Sequence, residues 1–109
     1  MFVKKDKHPF RDLIPGVRMR PLAHEEKTLL CEFRLEAGYS IPLHQHPYEQ
    51  TGYLISGKLK FFIGDECFEA GPGDSWCVPE NAGHRVIVLE DSHLVEIFSP
   101  IRPDYLIQE

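Results

Sequence analysis

The stretch Ile41–Gly57, IPLHQHPYEQTGYLISG, holds the residues on which the reading of this chain turns. His44 and His46 stand two apart between Pro42 and Pro47, just before a run rich in strand-forming residues. On an extended backbone, residues i and i+2 project to the same side with Cα atoms roughly 6.6 Å apart, so two imidazoles at this spacing can converge on one ion. The flanking prolines stiffen the segment and keep it out of a central ladder position. Placing His46 and Gln50 at i and i+4 of a helix would suggest a zincin-like pair, but Pro47 and the β-rich run that follows oppose a helix here. Gln50 instead opens a strand with the parity that turns its amide inward. His84, after the turn-rich GDSWCVPENAG, leads another strand, HRVIVLE. Three imidazoles and an amide oxygen make a four-ligand set that leaves positions open on a six-coordinate metal. Glu49 is the alternative fourth ligand, although its parity points outward.

Outward from this stretch, glycine and proline recur between short segments of β-formers, the pattern of an all-β sandwich or barrel. In TLLCEFRLEAG, Leu29, Cys31, Phe33 and Leu35 alternate with Leu30, Glu32 and Arg34, which gives one apolar face. Tight turns are expected at Ser56-Gly57, Gly64-Asp65 and Gly71–Asp74, and Glu80–Gly83 and Glu90–Ser92 are expected to connect strands. With GVRMRPLA near the start, about eight strands result, which suits a small jelly roll whose interior holds side chains and one small ligand.

With 109 residues, the chain is expected to form one domain spanning 1–109, with 1–12 as an N-terminal arm whose order the sequence leaves open. A net charge of −5 without a concentrated basic face excludes a nucleic-acid footprint. No apolar run follows Lys4, Lys5 and Lys7 to make a signal peptide, and none is long enough to span a membrane, so a soluble cytoplasmic protein is expected. Cys31, Cys67 and Cys77 form no CxxC and are read as reduced, mostly buried thiols, Cys77 included. His8, His24 and His93 have no partners at ligand spacing and are assigned to the surface, while Trp76 is read as packing or pocket wall.

These residues resemble a known family. Five residues separate Gly38 from His44; His46 follows, then Gln50 after three more and Gly57 after six, and this resembles the first cupin motif. Five residues separate Gly73 from Pro79 and the run continues to His84, which is similar to the second. The resemblance covers residues 29–99. Gln50 stands where the general pattern has Glu, Asn81 where it has Gly, and Val88 where it has Asn. Asn tolerates the left-handed backbone that a glycine would serve. A neutral Gln leaves more of the ion's charge uncompensated than a carboxylate would.

The resemblance implies a cupin jelly-roll β-barrel with His44, His46, Gln50 and His84 around one divalent transition metal ion, with Fe, Ni, Zn, Mn and Cu all open. HPYEQTGYLISG together with IFSPIRPDY further resembles the small KdgF-type cupins of pectin and alginate degradation, which convert 4,5-unsaturated monouronates to linear keto forms. That likeness implies a carboxylate-bearing sugar as substrate and gives Glu96, Phe98 and Arg102 as its site residues. Glu96 would move protons, Phe98 would contact substrate, and Arg102 would capture the uronate carboxylate; the family's usual acid is Asp. Strand parity turns Leu94, Glu96 and Phe98 inward, and leaves open whether Glu96 is an acid/base or a structural partner of Arg102. A metal-dependent dioxygenase or other oxidoreductase, and a non-catalytic binding module, are the alternatives on the same fold. The same parity puts Tyr53, Ile55, Ile87, Leu89, Val95 and Ile97 on the outside, an apolar face that predicts a symmetric homodimer.

Overall fold

The computed structural model describes residues 1–106. The chain is all-β: β1 (Arg11–Ile14), β2 (Val17–His24), β3 (Leu29–Leu35), β4 (Ser40–His44), β5 (Glu49–Ile63), β6 (Glu66–Ala70), β7 (Ser75–Val78) and β8 (His84–Ser99), followed by one turn of helix, α1 (Pro103–Leu106). Among the described residues no helix is long and apolar enough to cross a membrane.

Two long strands organise the barrel. β5 and β8 pair antiparallel from Glu49↔Ser99 to Ile63↔His84. The halves of this pair enter different layers. The first half of β5 is bordered by β7, and the second half of β8 by β3, with β2 and β1 continuing outward. The second half of β5 is bordered by β6, and the first half of β8 by β4. Strands that pass from one layer to the other through irregular register build the corner of a jelly roll.

That corner lies where two connections were expected. Ser56-Gly57 is not a tight hairpin turn, and Glu90–Ser92 is not a loop; both are bends inside continuous strands. Register shifts cluster between Leu54 and Leu59. Gly57 sits at φ +104°, and a Cβ there would fall 2.5 Å from the Asp91 carbonyl oxygen, so only glycine fits. Buried Ser92 accepts a hydrogen bond from the Lys58 amide at 3.1 Å and donates to the Glu90 carbonyl at 2.8 Å, replacing ladder bonds lost at the bend. Local glycine chemistry is the same for a turn and a bulge, and only the partner strand distinguishes them.

The core lies between the layers. Leu29, Cys31, Phe33 and Leu35 are all buried, as their alternation requires, and meet Leu54, Leu59, Phe61, Val86, Val88 and Leu94. Val88, where the family pattern has Asn, belongs to this apolar core. The thiols divide differently from the expectation: Cys31 is buried, whereas Cys67 and Cys77 are exposed. β7 buries Trp76 and Val78, and the pleat turns Cys77 outward between them. His93 is also not a free surface side chain, since its Nε2 meets Glu32, which in turn pairs with Arg20 at 2.7 Å. At the N-terminal end, Asp6 pairs with Arg20, and the Phe10 ring lies 4.4 Å from the Arg20 guanidinium carbon.

Candidate metal centre and pocket

β4 ends at His44, the following irregular segment carries His46, and β8 begins at His84, whose backbone pairs with His44. This brings the three imidazoles together: one ligand nitrogen from each lies within 4.8 Å of the others. Each ring is oriented from behind by a backbone carbonyl two residues away. His44 Nδ1 donates to the Pro42 carbonyl at 2.9 Å, His46 Nδ1 to Tyr48 at 3.1 Å, and His84 Nδ1 to Ala82 at 2.9 Å. A proton held on Nδ1 leaves Nε2 as a lone pair, the tautomer that ligates metal. The Nε2 atoms of His46 and His84 are buried and have no hydrogen-bond partner. Two orphaned acceptors are costly unless something electrophilic meets them. The cluster therefore suits a metal ion.

The electrostatics agree. Burial pushes His84 down to about 4, with smaller contributions from the neighbouring imidazoles. His46 is lowered too, first by burial and then by the positive charge of Arg102. Both rings are neutral at physiological pH, so an ion need not displace a proton from either. Asn81, in the loop before His84, has φ +62°, and its backbone N–H donates to the His46 carbonyl at 2.7 Å. Asn therefore serves in place of the family's glycine and ties the two histidine segments together.

Gln50, on the inward face of β5, is 5% exposed, while Glu49 faces outward. The Gln50 amide nitrogen donates to Glu96 Oε2 at 2.7 Å. That bond engages the amide nitrogen and leaves the carbonyl oxygen as an available donor atom. The set of three imidazoles and one amide oxygen fits a divalent transition ion.

Glu96 is not paired with Arg102. It is 7% exposed, and Oε2 accepts from Gln50 and, at 3.0 Å, from the Trp76 indole nitrogen. Burial raises its carboxyl to about 6, against the opposing effect of those two donors. Arg102 pairs with Asp104 at 3.2 Å and lies over three rings: Tyr105 at 3.8 Å, and Tyr48 and Phe98 at 5.1 Å each. Phe98 is 1% exposed and forms part of the same wall.

His44, Gln50, Trp76, His84, Glu96, Phe98 and Arg102 line one cavity of about 290 Å³, bounded also by Leu13, Ile14, Phe33, Leu94 and Tyr105. The volume suits a small molecule, and a few polar groups stand in a lining that is otherwise apolar. Two contributors were not read from the sequence as site residues. Tyr105 follows the last strand and carried no spacing signal. Trp76 was read as packing or wall, and its hydrogen bond to Glu96 is new. An inward-facing glycine at position 52 was the available signal for that bond, since glycine inside a strand marks close approach of another group.

Comparison with known proteins follows the same lines. Residues 31–99 match the family described as the cupin domain. KdgF from Halomonas sp. has 29% identity and a TM-score of 0.88, over 95% of this chain and 98% of that one. An RmlC-like cupin from Shewanella frigidimarina has 21% identity and a TM-score of 0.89, over 95% and 94%. Oxalate decarboxylase from Bacillus subtilis has 25% identity and a TM-score of 0.80, over 98% of this chain but 31% of the longer enzyme. A search of curated proteins by sequence found no significant match.

Proposed function

We propose that this chain, which belongs to the cupin family, is a metal-dependent isomerase that opens the ring of a 4,5-unsaturated monouronate. The observation that carries this reading is Glu96, a buried carboxylate that lines the cavity and is joined by hydrogen bond to Gln50 beside the three-histidine cluster. Similarity to KdgF over nearly the full length of both chains supports it.

Ring opening removes the anomeric hydroxyl proton, forms the C1 carbonyl, breaks the bond from C1 to the ring oxygen, and leaves an enolate across C4, C5 and that oxygen. Protonation at C4 completes an isomerisation with no net gain or loss of atoms. One carboxylate can therefore accept the proton and return it, and that role falls to Glu96 in this reading. A carboxyl whose proton affinity has been raised to about 6 is better matched to both halves of that exchange near neutral pH than an ordinary glutamate. Held by His44, His46, Gln50 and His84, a divalent transition ion would supply Lewis acidity at an oxygen where negative charge develops. Arg102, fixed by the rings of Tyr48, Phe98 and Tyr105, would bind the uronate carboxylate. The apolar wall, including Phe98, suits the C4–C5 edge, which carries no hydroxyl.

The direct test is the ultraviolet absorbance of an unsaturated monouronate mixed with metal-loaded protein. Decay faster than the spontaneous rate is expected; an unchanged rate rejects the reading. In the same assay Arg102→Lys keeps the charge but loses the planar fork, and KM should rise by roughly 10- to 100-fold with a smaller change in kcat.

We further propose that the protein is a symmetric homodimer. Tyr53, Ile55, Leu89 and Ile97 are each 41–50% exposed on adjoining stretches of β5 and β8. Water contact over that area is unfavourable, and a second copy presents a matching apolar face. Sedimentation at micromolar concentration should give twice the chain mass; a monomer would contradict the dimer.

A further inference from the structure

Trp76, Gly52 and Glu96 form one row across three strands. Gly52 on β5 pairs with Trp76 on β7 on one side and with Glu96 on β8 on the other. Neighbouring strands are about 4.8 Å apart, so the outer two residues are roughly 10 Å apart at the backbone and any ordinary side chain between them would keep them separate. The middle residue has none. A Cβ on Gly52 would fall 2.3 Å from the indole nitrogen of Trp76. The indole occupies that space, and its N–H reaches Glu96 Oε2 at 3.0 Å.

Gln50 donates to the same oxygen at 2.7 Å. With two donors on Oε2, the carboxylate cannot rotate without breaking both bonds. We propose that Trp76, reaching over Gly52, is a positioning residue that holds the Glu96 carboxylate so that Oε1 alone meets the substrate. This rests on the uronate reading for its catalytic consequence, but the positioning contact is independent of which substrate is turned over. It gives Gly52 a specific task, keeping a slot open in the middle strand, and makes Trp76 more than a wall of the cavity. A reacting carboxylate must be held within a fraction of an ångström of its productive position, and misplacement by about 1 Å costs on the order of 10²-fold in rate.

The test compares Trp76→Phe, which keeps an aromatic ring and removes the donor, with Gly52→Ala, which fills the slot and leaves the indole in the chain. Both should lower kcat by roughly 10- to 100-fold with KM within about twofold, while bound metal per chain stays unchanged. Trp76 is the only tryptophan, so resonance Raman bands of the indole report on this contact alone. In the otherwise unmodified protein the band sensitive to N–H hydrogen bonding should mark a strong bond, and Glu96→Ala and Gly52→Ala should each shift it toward the unbonded position. Full kcat in Trp76→Phe, a loss confined to KM, or an indole band unmoved by Glu96→Ala overturns the proposal. If the unmodified protein shows no turnover of the uronate, that strikes the substrate reading alone, and the indole band then decides the positioning proposal.

Discussion

His84→Ala should abolish metal retention and turnover together. Elemental analysis of the purified variant should fall from about one ion per chain to background, because the loss takes a buried ligand from a set in which no other described side chain within reach can replace it. The stability readout is separate from activity. An ion that binds only the folded protein adds RT ln(1 + [M]/Kd), or about 2.7 kcal/mol at a hundredfold excess over Kd. Metal should therefore raise the melting temperature of the unmodified protein by several degrees and leave that of His84→Ala unmoved. Without metal, the variant loses the packing of one imidazole and its bond to the Ala82 carbonyl. Retention of a full complement of metal by His84→Ala would exclude His84 as a principal ligand.

Much of this centre was legible because its signals are periodic. The two-residue spacing keeps His44 and His46 close enough to share an ion, although His46 lies beyond the end of β4 and not on the strand itself, and strand parity places Gln50, Glu96 and Phe98 inward without knowledge of which strands pair. Two spaced motifs supply His84, which periodicity alone could not connect to His44. What the sequence could not carry is lateral: the contact of Trp76 with Glu96 spans 20 positions and crosses a third strand, and it exists only because β7, β5 and β8 are neighbours in that order. The choice left open for Glu96 was of the same kind. Arg102 was the nearest cation in sequence, yet it pairs with Asp104, and neutral donors on two other strands satisfy the carboxylate instead. The bends at Gly57 and Ser92 show the limit from another side. Residues that favour a turn also favour a bulge, and the long pairing of β5 with β8 settles which one forms.

Glu96→Gln should lower uronate turnover by 10²-fold or more, the usual range for removing a general acid–base group. Gln keeps the shape and an acceptor oxygen for Gln50 and Trp76, so metal content should not change. Its effect on stability should run the other way. In the fold, burial raises the Glu96 carboxyl from 4.5 to about 6, so between those values the folded chain binds more protons than the unfolded one. Stability contributed through that proton is present in full below 4.5 and is lost as pH rises through 6, a change of about 2 kcal/mol. Gln does not titrate. In metal-free protein, the stability of Glu96→Gln relative to the unmodified chain should therefore grow by about 1.5 kcal/mol between pH of about 4.5 and about 7, as read from denaturant midpoints at the two values. Adding metal should shrink that difference, since a nearby cation favours the carboxylate. A variant that gains stability at neutral pH while losing turnover would mean the fold tolerates a buried charge there for the sake of the reaction. If the difference did not depend on pH, Glu96 would be ordinary in its proton affinity, and the argument that burial prepares it for proton exchange would fail.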